Sequence, residues 1–184
     1  MKSNPQGDQS KTRPLGSALV QGSEDELSRG QSADVANYGL VRPPIVYLGS
    51  IGLGLLVHLF WPVRLFPGSV GVPIGVMLVL VGVALFIFSV RTFRKADTPV
   101  PGNRPTTTIV RSGPYRFSRN PIYLAFTIFQ VGLALWVNSL ALLLAVLPAL
   151  ALMMWVVIPR EERYLQARFP AEYLRYKHAV RRWL

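Results

Sequence analysis

Three long stretches without a formal charge organise the chain. Residues 43–63 (PPIVYLGSIGLGLLVHLFWPV) and 65–90 (LFPGSVGVPIGVMLVLVGVALFIFSV) are the first two, and the third runs for forty residues from Asn120 to Pro159. A helix needs about 20 apolar residues to cross a bilayer core, so the third stretch is long enough for two crossings. Asn138-Ser139 lies near its middle and supplies a tight polar turn. The pattern predicts an all-α integral membrane protein with about four transmembrane helices, at 44–62, 70–90, 121–137 and 140–158. The last two form a C-terminal hairpin, and the third span, being short, is expected to be tilted little or only just to cross. Pro148 is predicted to bend the fourth, because proline lacks a donor and crowds the preceding turn. Residues 1–37 are rich in Ser, Gly, Gln and Asp without apolar periodicity, and are expected to be a disordered polar tail. No apolar core near the N-terminus reads as a signal peptide.

The segments between the spans are unequal in charge. Residues 91–119 contain Arg91, Arg94, Lys95, Arg104, Arg111, Arg116 and Arg119, and residues 160–184 contain Arg160, Arg163, Arg168, Arg175, Lys177, Arg181 and Arg182. The connection at 63–69 has only Arg64, and the turn at 138–139 has no charge. The positive-inside rule puts both basic segments in the cytosol, and four crossings then put both termini there. The chain as a whole carries +11 and is 51% hydrophobic. Nucleic acid is one partner for so basic a protein. Here the cations sit at the ends of apolar runs, which fits a lipid bilayer and no nucleic acid. There is no cysteine, and His58 and His178 are too few for a zinc site, so no metal is expected.

The 91–119 loop is irregular, and its length marks it as functional or disordered. The tail EERYLQARFPAEYLRYKHAVRRWL continues the fourth span as cytosolic amphipathic helices. Pro170 is predicted to start the last of them, with Tyr173, Tyr176 and Val180 on one face. That helix is expected to lie on the membrane or fold back over the loop. The chain divides into the tail at 1–37, two N-terminal spans within 38–90, and a core at 91–184.

Two stretches carry candidate chemistry. In Ser118-Arg119-Asn120-Pro121-Ile122-Tyr123, Asn120 is the expected N-cap and Pro121 the first helical residue. Either Arg119 meets lipid phosphate and Asn120 merely caps, or the helix start holds an anionic group such as a carboxylate with Arg119 adding a grip. Glu161-Glu162 is adjacent carboxylates where a helix C-terminus prefers cations. They either pair with Arg160 and Arg163 in solvent, or receive a cationic ligand or ribose hydroxyls. Tyr115, Tyr123, Tyr164, Tyr173, Tyr176 and Trp183 suit an interfacial belt, or a wall for an adenine ring. His58, inside an apolar run, is expected to hydrogen-bond internally. GSIGLG at 49–54 is read as close helix packing rather than a nucleotide fingerprint.

GPYRFSRNPIYLA (113–125), a charge-free hairpin and the tail from Glu161 together resemble the isoprenylcysteine carboxyl methyltransferase and phospholipid methyltransferase superfamily. Gly113, Tyr115, Arg119, Pro121 and Tyr123 match before the hairpin, and Glu161, Glu162, Leu165, Phe169, Tyr173 and Tyr176 after it. The resemblance covers residues 91–184. It implies a membrane-embedded enzyme that uses S-adenosylmethionine to methylate a lipophilic acceptor at the cytosolic face. It also implies a cofactor site of Tyr115, Asn120, Pro121, Tyr123, Leu124, Glu161 and Glu162, with Arg119 and Glu162 nearest the chemistry. Asn120 stands where the family has His, so any role needing imidazole is lost, and Pro170 replaces a Gly. The alternative is a non-enzymatic membrane protein whose basic loops bind anionic lipid.

Overall fold

The computed structural model describes residues 42–99 and 106–183. The expected tail at 1–37 lies outside them, as does the 100–105 part of the long loop. The described residues are helical and irregular, without strands. Helix α1 spans Pro43–Phe60 and α2 spans Gly71–Lys95. A 3₁₀ turn follows at Gly113–Arg116, then α3 at Pro121–Trp136 and α4 at Leu140–Leu152. A π-helical segment, Met153–Val157, joins α4 without a break to α5 at Ile158–Arg168, and α6 runs over Pro170–Ala179.

Three helical stretches are long and apolar enough to cross a membrane: Pro43–Phe60, Gly71–Lys95 and Leu140–Arg168. The third predicted span, α3, is apolar but has 16 residues. At 1.5 Å per residue it is roughly 24 Å long, short of a hydrocarbon core of about 30 Å. Local chemistry sets the ends. Prolines 43 and 121 open α1 and α3, where a missing backbone donor does no harm. Arg94 and Lys95 sit in the last turn of α2, where the helix dipole favours cations. That turn lies beyond the predicted boundary at 90, because the helix outlasts its uncharged stretch. Pro148 lies inside α4, and the departure from α geometry comes at Met153–Val157.

Small residues let the helices close on one another. A Cβ on Gly132 of α3 would stand 2.7 Å from the Val79 amide nitrogen of α2, and one on Gly75 would run into the Trp136 backbone. Gly54, from the glycine stretch at 49–54, likewise abuts Leu142 of α4. Polar bonds add register. Ser50 Oγ donates to the Ala145 carbonyl at 2.6 Å and accepts from Gln130 Nε2 at 2.7 Å, tying α1, α3 and α4 together. His58 Nδ1 is buried without a hydrogen-bond partner among the described residues. The expected internal bond is therefore not made by that nitrogen.

At one end, the Asn138-Ser139 turn meets the 63–69 connection. Asn138 adopts φ 55°, its Oδ1 accepts from the amides of Leu65 and Phe66, and its Nδ2 donates to the Phe66 carbonyl. Ser139 caps α4 by accepting from Leu142 N at 3.2 Å. The 106–120 segment, α5 and α6 gather at the other end of α3, so α3 runs between the two ends of the helical array.

Candidate functional site

The site is built where the loop enters α3. Gly113 takes φ 57°, a left-handed conformation that disfavours a side chain. A Cβ there would also sit 2.8 Å from Thr92 Oγ1. The 3₁₀ turn that follows swings Tyr115 inward, where its ring meets Phe93 edge-on at 5.0 Å, while Arg116 and Phe117 stay exposed. Of the two arginines in GPYRFSR, only Arg119 turns into the protein. Its side chain is 10% exposed, and Nη1 lies 3.2 Å from Glu162 Oε1. Its Nε is buried and lacks a hydrogen-bond partner among the described residues.

Asn120 occupies the N-cap position of α3 and Pro121 the first helical one, as expected, but the Asn120 side chain does not cap. Its amide donates instead to the Arg182 carbonyl at 3.0 Å, and the Arg119 amide donates to the Arg181 carbonyl at 3.0 Å. The Asn120 side chain and the Arg119 backbone amide are thus engaged by the C-terminal segment.

The two glutamates arrive on α5. A π turn adds a residue to the helical path, rotating the residues beyond it by roughly 100° relative to an unbroken α-helix. Adjacent residues on α5 also differ by about 100°, yet both carboxylates are buried, because the helix is covered on two sides. Glu161 meets α3, where Tyr123 Oη donates to its Oε2 at 2.8 Å. Glu162 meets the loop and the C-terminal segment, where Arg182 donates Nη2 to Oε2 at 2.8 Å and Nε to Oε1 at 3.1 Å. Glu161 forms no ion pair among the described residues. Solvated pairing with Arg160 and Arg163, one of the two readings of the sequence, is absent among the described residues.

Helix α6 folds back over the loop. Tyr173 and Tyr176 pack with Ile109, flanked by Leu165, Phe169 and Val180. Tyr176 Oη donates to the Tyr115 carbonyl at 2.8 Å, and Arg168 Nε to the Thr106 carbonyl at 2.9 Å. Burial pushes the Tyr173 hydroxyl up to about 12, with the Glu162 carboxylate adding to the shift. Burial also raises Tyr115, helped by Glu161, and raises Tyr176. All three are neutral hydroxyls at any ordinary pH.

These groups surround a cavity of about 290 Å³. Arg119, Glu161 and Glu162 line it beside Tyr115, Tyr173 and Ile109, and Phe86 and Phe126 line it too. A second, apolar groove of about 260 Å³ shares Pro44, Phe86 and Phe126 with the cavity and lies among α1, α2 and α3. The Phe126 ring stands 5.3 Å from Tyr47 and 5.3 Å from Phe86, an aromatic boundary between the two spaces.

Six of the expected site residues therefore line one space: Tyr115, Arg119, Asn120, Tyr123, Glu161 and Glu162. Pro121 and Leu124 belong to the first turn of α3 but not to the cavity wall. Thr106, Thr108 and Phe93 also line it, and nothing in their sequence context singled them out. Arg182 was one cation among seven in a basic tail, and only the chain path brings it to Glu162. Among the described residues no group of three or more His, Cys, Asp or Glu could hold a metal.

Residues 70–172, more than half of the chain, match the phospholipid methyltransferase family. The cobalt-zinc-cadmium resistance protein CzcN of Cupriavidus metallidurans is 40% identical over 74 residues, which is 39% of this chain and 34% of that protein. The chain thus spans about a third of that relative's length. An uncharacterized protein of Haemophilus influenzae is 36% identical over 63 residues, 34% of this chain and 100% of that protein. No solved structure matches.

Proposed function

The chain belongs to the phospholipid methyltransferase family, a family of membrane methyltransferases, and from that premise we propose that it methylates a lipophilic acceptor with S-adenosylmethionine at the cytosolic membrane face. The observation that carries this reading is a cavity lined by Arg119, Glu161 and Glu162 that shares an aromatic boundary with an apolar groove among the spans. A charged cofactor and a lipid-soluble acceptor need such adjoining spaces.

The cavity suits the cofactor on the chemistry of its own groups. The unpartnered Nε of Arg119 is a buried donor for a carboxylate. Glu161, bonded by a neutral hydroxyl and by no cation among the described residues, suits an ammonium or ribose hydroxyls. Tyr173 and Tyr176 offer neutral aromatic walls. When bound, S-adenosylmethionine supplies an electrophilic methyl group on a sulfonium.

The remaining work is positioning and exclusion of water, which the buried tyrosines and Phe93 provide. Both oxygens of Glu162 are held by guanidinium groups, so we assign it to orienting Arg119. Glu161 is the better placed to take a proton if the acceptor is an amine. A carboxylate or thiolate acceptor needs no such transfer. Asn120 and Pro121 hold the start of α3 in place, with Tyr115, Tyr123 and Leu124 around it. The inward course of Arg119 favours this reading over loops that only grip anionic lipid.

We place the methyltransferase core at 91–184 and assign the two preceding spans to the acceptor's approach. Four crossings with both termini cytosolic suit the basic segments at one end and the uncharged Asn138 turn at the other. The test is calorimetric titration of S-adenosylhomocysteine into detergent-purified protein, wild type beside Glu162→Ala. Micromolar binding lost in the variant is expected, and no binding by folded wild type in detergent or native lipid contradicts the reading.

A further inference from the structure

We infer that Arg182 is a positioning residue for the cofactor site, acting through Glu162 without reaching the cavity itself. The inference rests on the proposed cofactor reading and extends it beyond the family match, which ends at residue 172.

After α6 the backbone becomes extended at Val180 and runs back across the start of α3. Three donors from α3's entrance fix it there. The Arg119 amide bonds to the Arg181 carbonyl, and Asn120 Nδ2 and Ser118 Oγ bond to the Arg182 carbonyl at 3.0 and 3.3 Å. Trp183 then packs against the buried cluster that includes Tyr123, Met153 and Ile158. With its backbone pinned on both sides, Arg182 presents a fork to Glu162 and engages both carboxylate oxygens.

That fork has a consequence for Arg119. Glu162 receives two bonds from Arg182, so it needs only one contact from Arg119, the 3.2 Å approach of Nη1. The Arg119 Nε is left without a partner among the described residues, beside the cavity that Arg119 lines. Arg182 itself does not line the cavity, and its side chain is 35% exposed on the outer side of the pair. Removing Arg182 frees the Glu162 carboxylate to take both nitrogens of the Arg119 fork. The buried donor is then satisfied internally and lost to a ligand. Lysine keeps the charge but has no planar fork, so it restores the arrangement only in part.

The test is a binding cycle on the full-length protein with S-adenosylhomocysteine as probe. Calorimetry is run on wild type, Arg182→Met, Arg182→Lys, Glu162→Gln and the Arg182→Met/Glu162→Gln double variant. Ligand-induced thermal shift at high ligand reads any variant too weak for the calorimeter, and ligand-free melting reports folding. Arg182→Met is expected to weaken binding by about 10–100-fold, the range for a hydrogen bond to a charged group, and Arg182→Lys by less. In the Glu162→Gln background, Arg182→Met is expected to change affinity by less than about 3-fold, since the two act as one unit. Wild-type affinity in both Arg182 variants overturns the inference, as does a double variant whose losses multiply. If Arg182→Met does not fold, Arg182→Lys decides, and its wild-type affinity overturns the inference. Failure of wild type to bind overturns the cofactor reading and this inference together, whereas normal wild-type binding with indifferent Arg182 variants overturns this inference alone.

Discussion

Glu161 and Glu162 are neighbours in sequence with unlike surroundings, and the difference dictates what each substitution does. Glu162 is shared by two guanidinium groups, one of them almost fully buried. Replacing it by alanine leaves Arg119 without its counter-ion, and removing one partner of a buried pair costs about 3–5 kcal/mol. Denaturant unfolding in detergent should show a loss near that size for Glu162→Ala, together with loss of cofactor binding. Tyr123→Phe removes the hydroxyl that donates to Glu161 and leaves a buried carboxylate short of a bond, a loss of about 1–3 kcal/mol by the same measurement. Tyr173 gives a pH dependence. Its hydroxyl titrates near 10 in the unfolded chain and at about 12 when folded. The unfolded state therefore releases its proton first as pH rises, so this contribution to stability is complete below pH 10 and lost between 10 and 12. Unfolding measured across that window should steepen with pH in wild type and less so in Tyr173→Phe. Arg119 and both glutamates were legible as candidates, because charges at the edge of an apolar run demand a reason. The partnership with Arg182 was not, since a residue 20 positions away in a basic tail has no periodic relation to Glu162.

Helices were legible from uncharged stretches, and their ends less so. Proline starts at 121 and 170 stood out because the residue has one comfortable place in a helix. The extension of α2 to Lys95 did not, because Arg91, Arg94 and Lys95 ended the apolar pattern before the helix ended. The π segment at Met153–Val157 was invisible: MMWVV has the same composition as an α-helical run. Its effect on the direction of Glu161 and Glu162 is therefore a property of the fold alone. Packing between α2 and α3 depends on Gly75 and Gly132, where an added side chain meets backbone that has no room to yield. Gly132→Val should lower stability by at least about 1–3 kcal/mol, the usual range for overpacking. Melting in detergent checks this, and an unchanged transition would show that the two helices can separate freely.

Topology binds these parts into a machine with two ends. Asn138 holds the 63–69 connection at one end, while the loop, α5 and the C-terminal segment enclose the cavity at the other. The absence of cysteine makes the arrangement simple to test, since a single introduced thiol has no competitor. Ser112→Cys and Ser69→Cys both lie at exposed positions and should label with impermeant reagent from opposite sides of the membrane, Ser112→Cys from the cytosol. Labelling of both from one side contradicts four crossings. The alternation of uncharged stretches and basic loops made this order legible, but the groove joining the cavity depends on how Phe86, Phe126 and Tyr47 meet in space. The most direct test of the account is transfer of a radiolabelled methyl group from S-adenosylmethionine by purified protein reconstituted with a membrane lipid extract. The account predicts label in organic-soluble material with wild type and none with Arg119→Ala or Glu162→Ala. Folded wild type that leaves the lipid fraction at the level of those variants contradicts it.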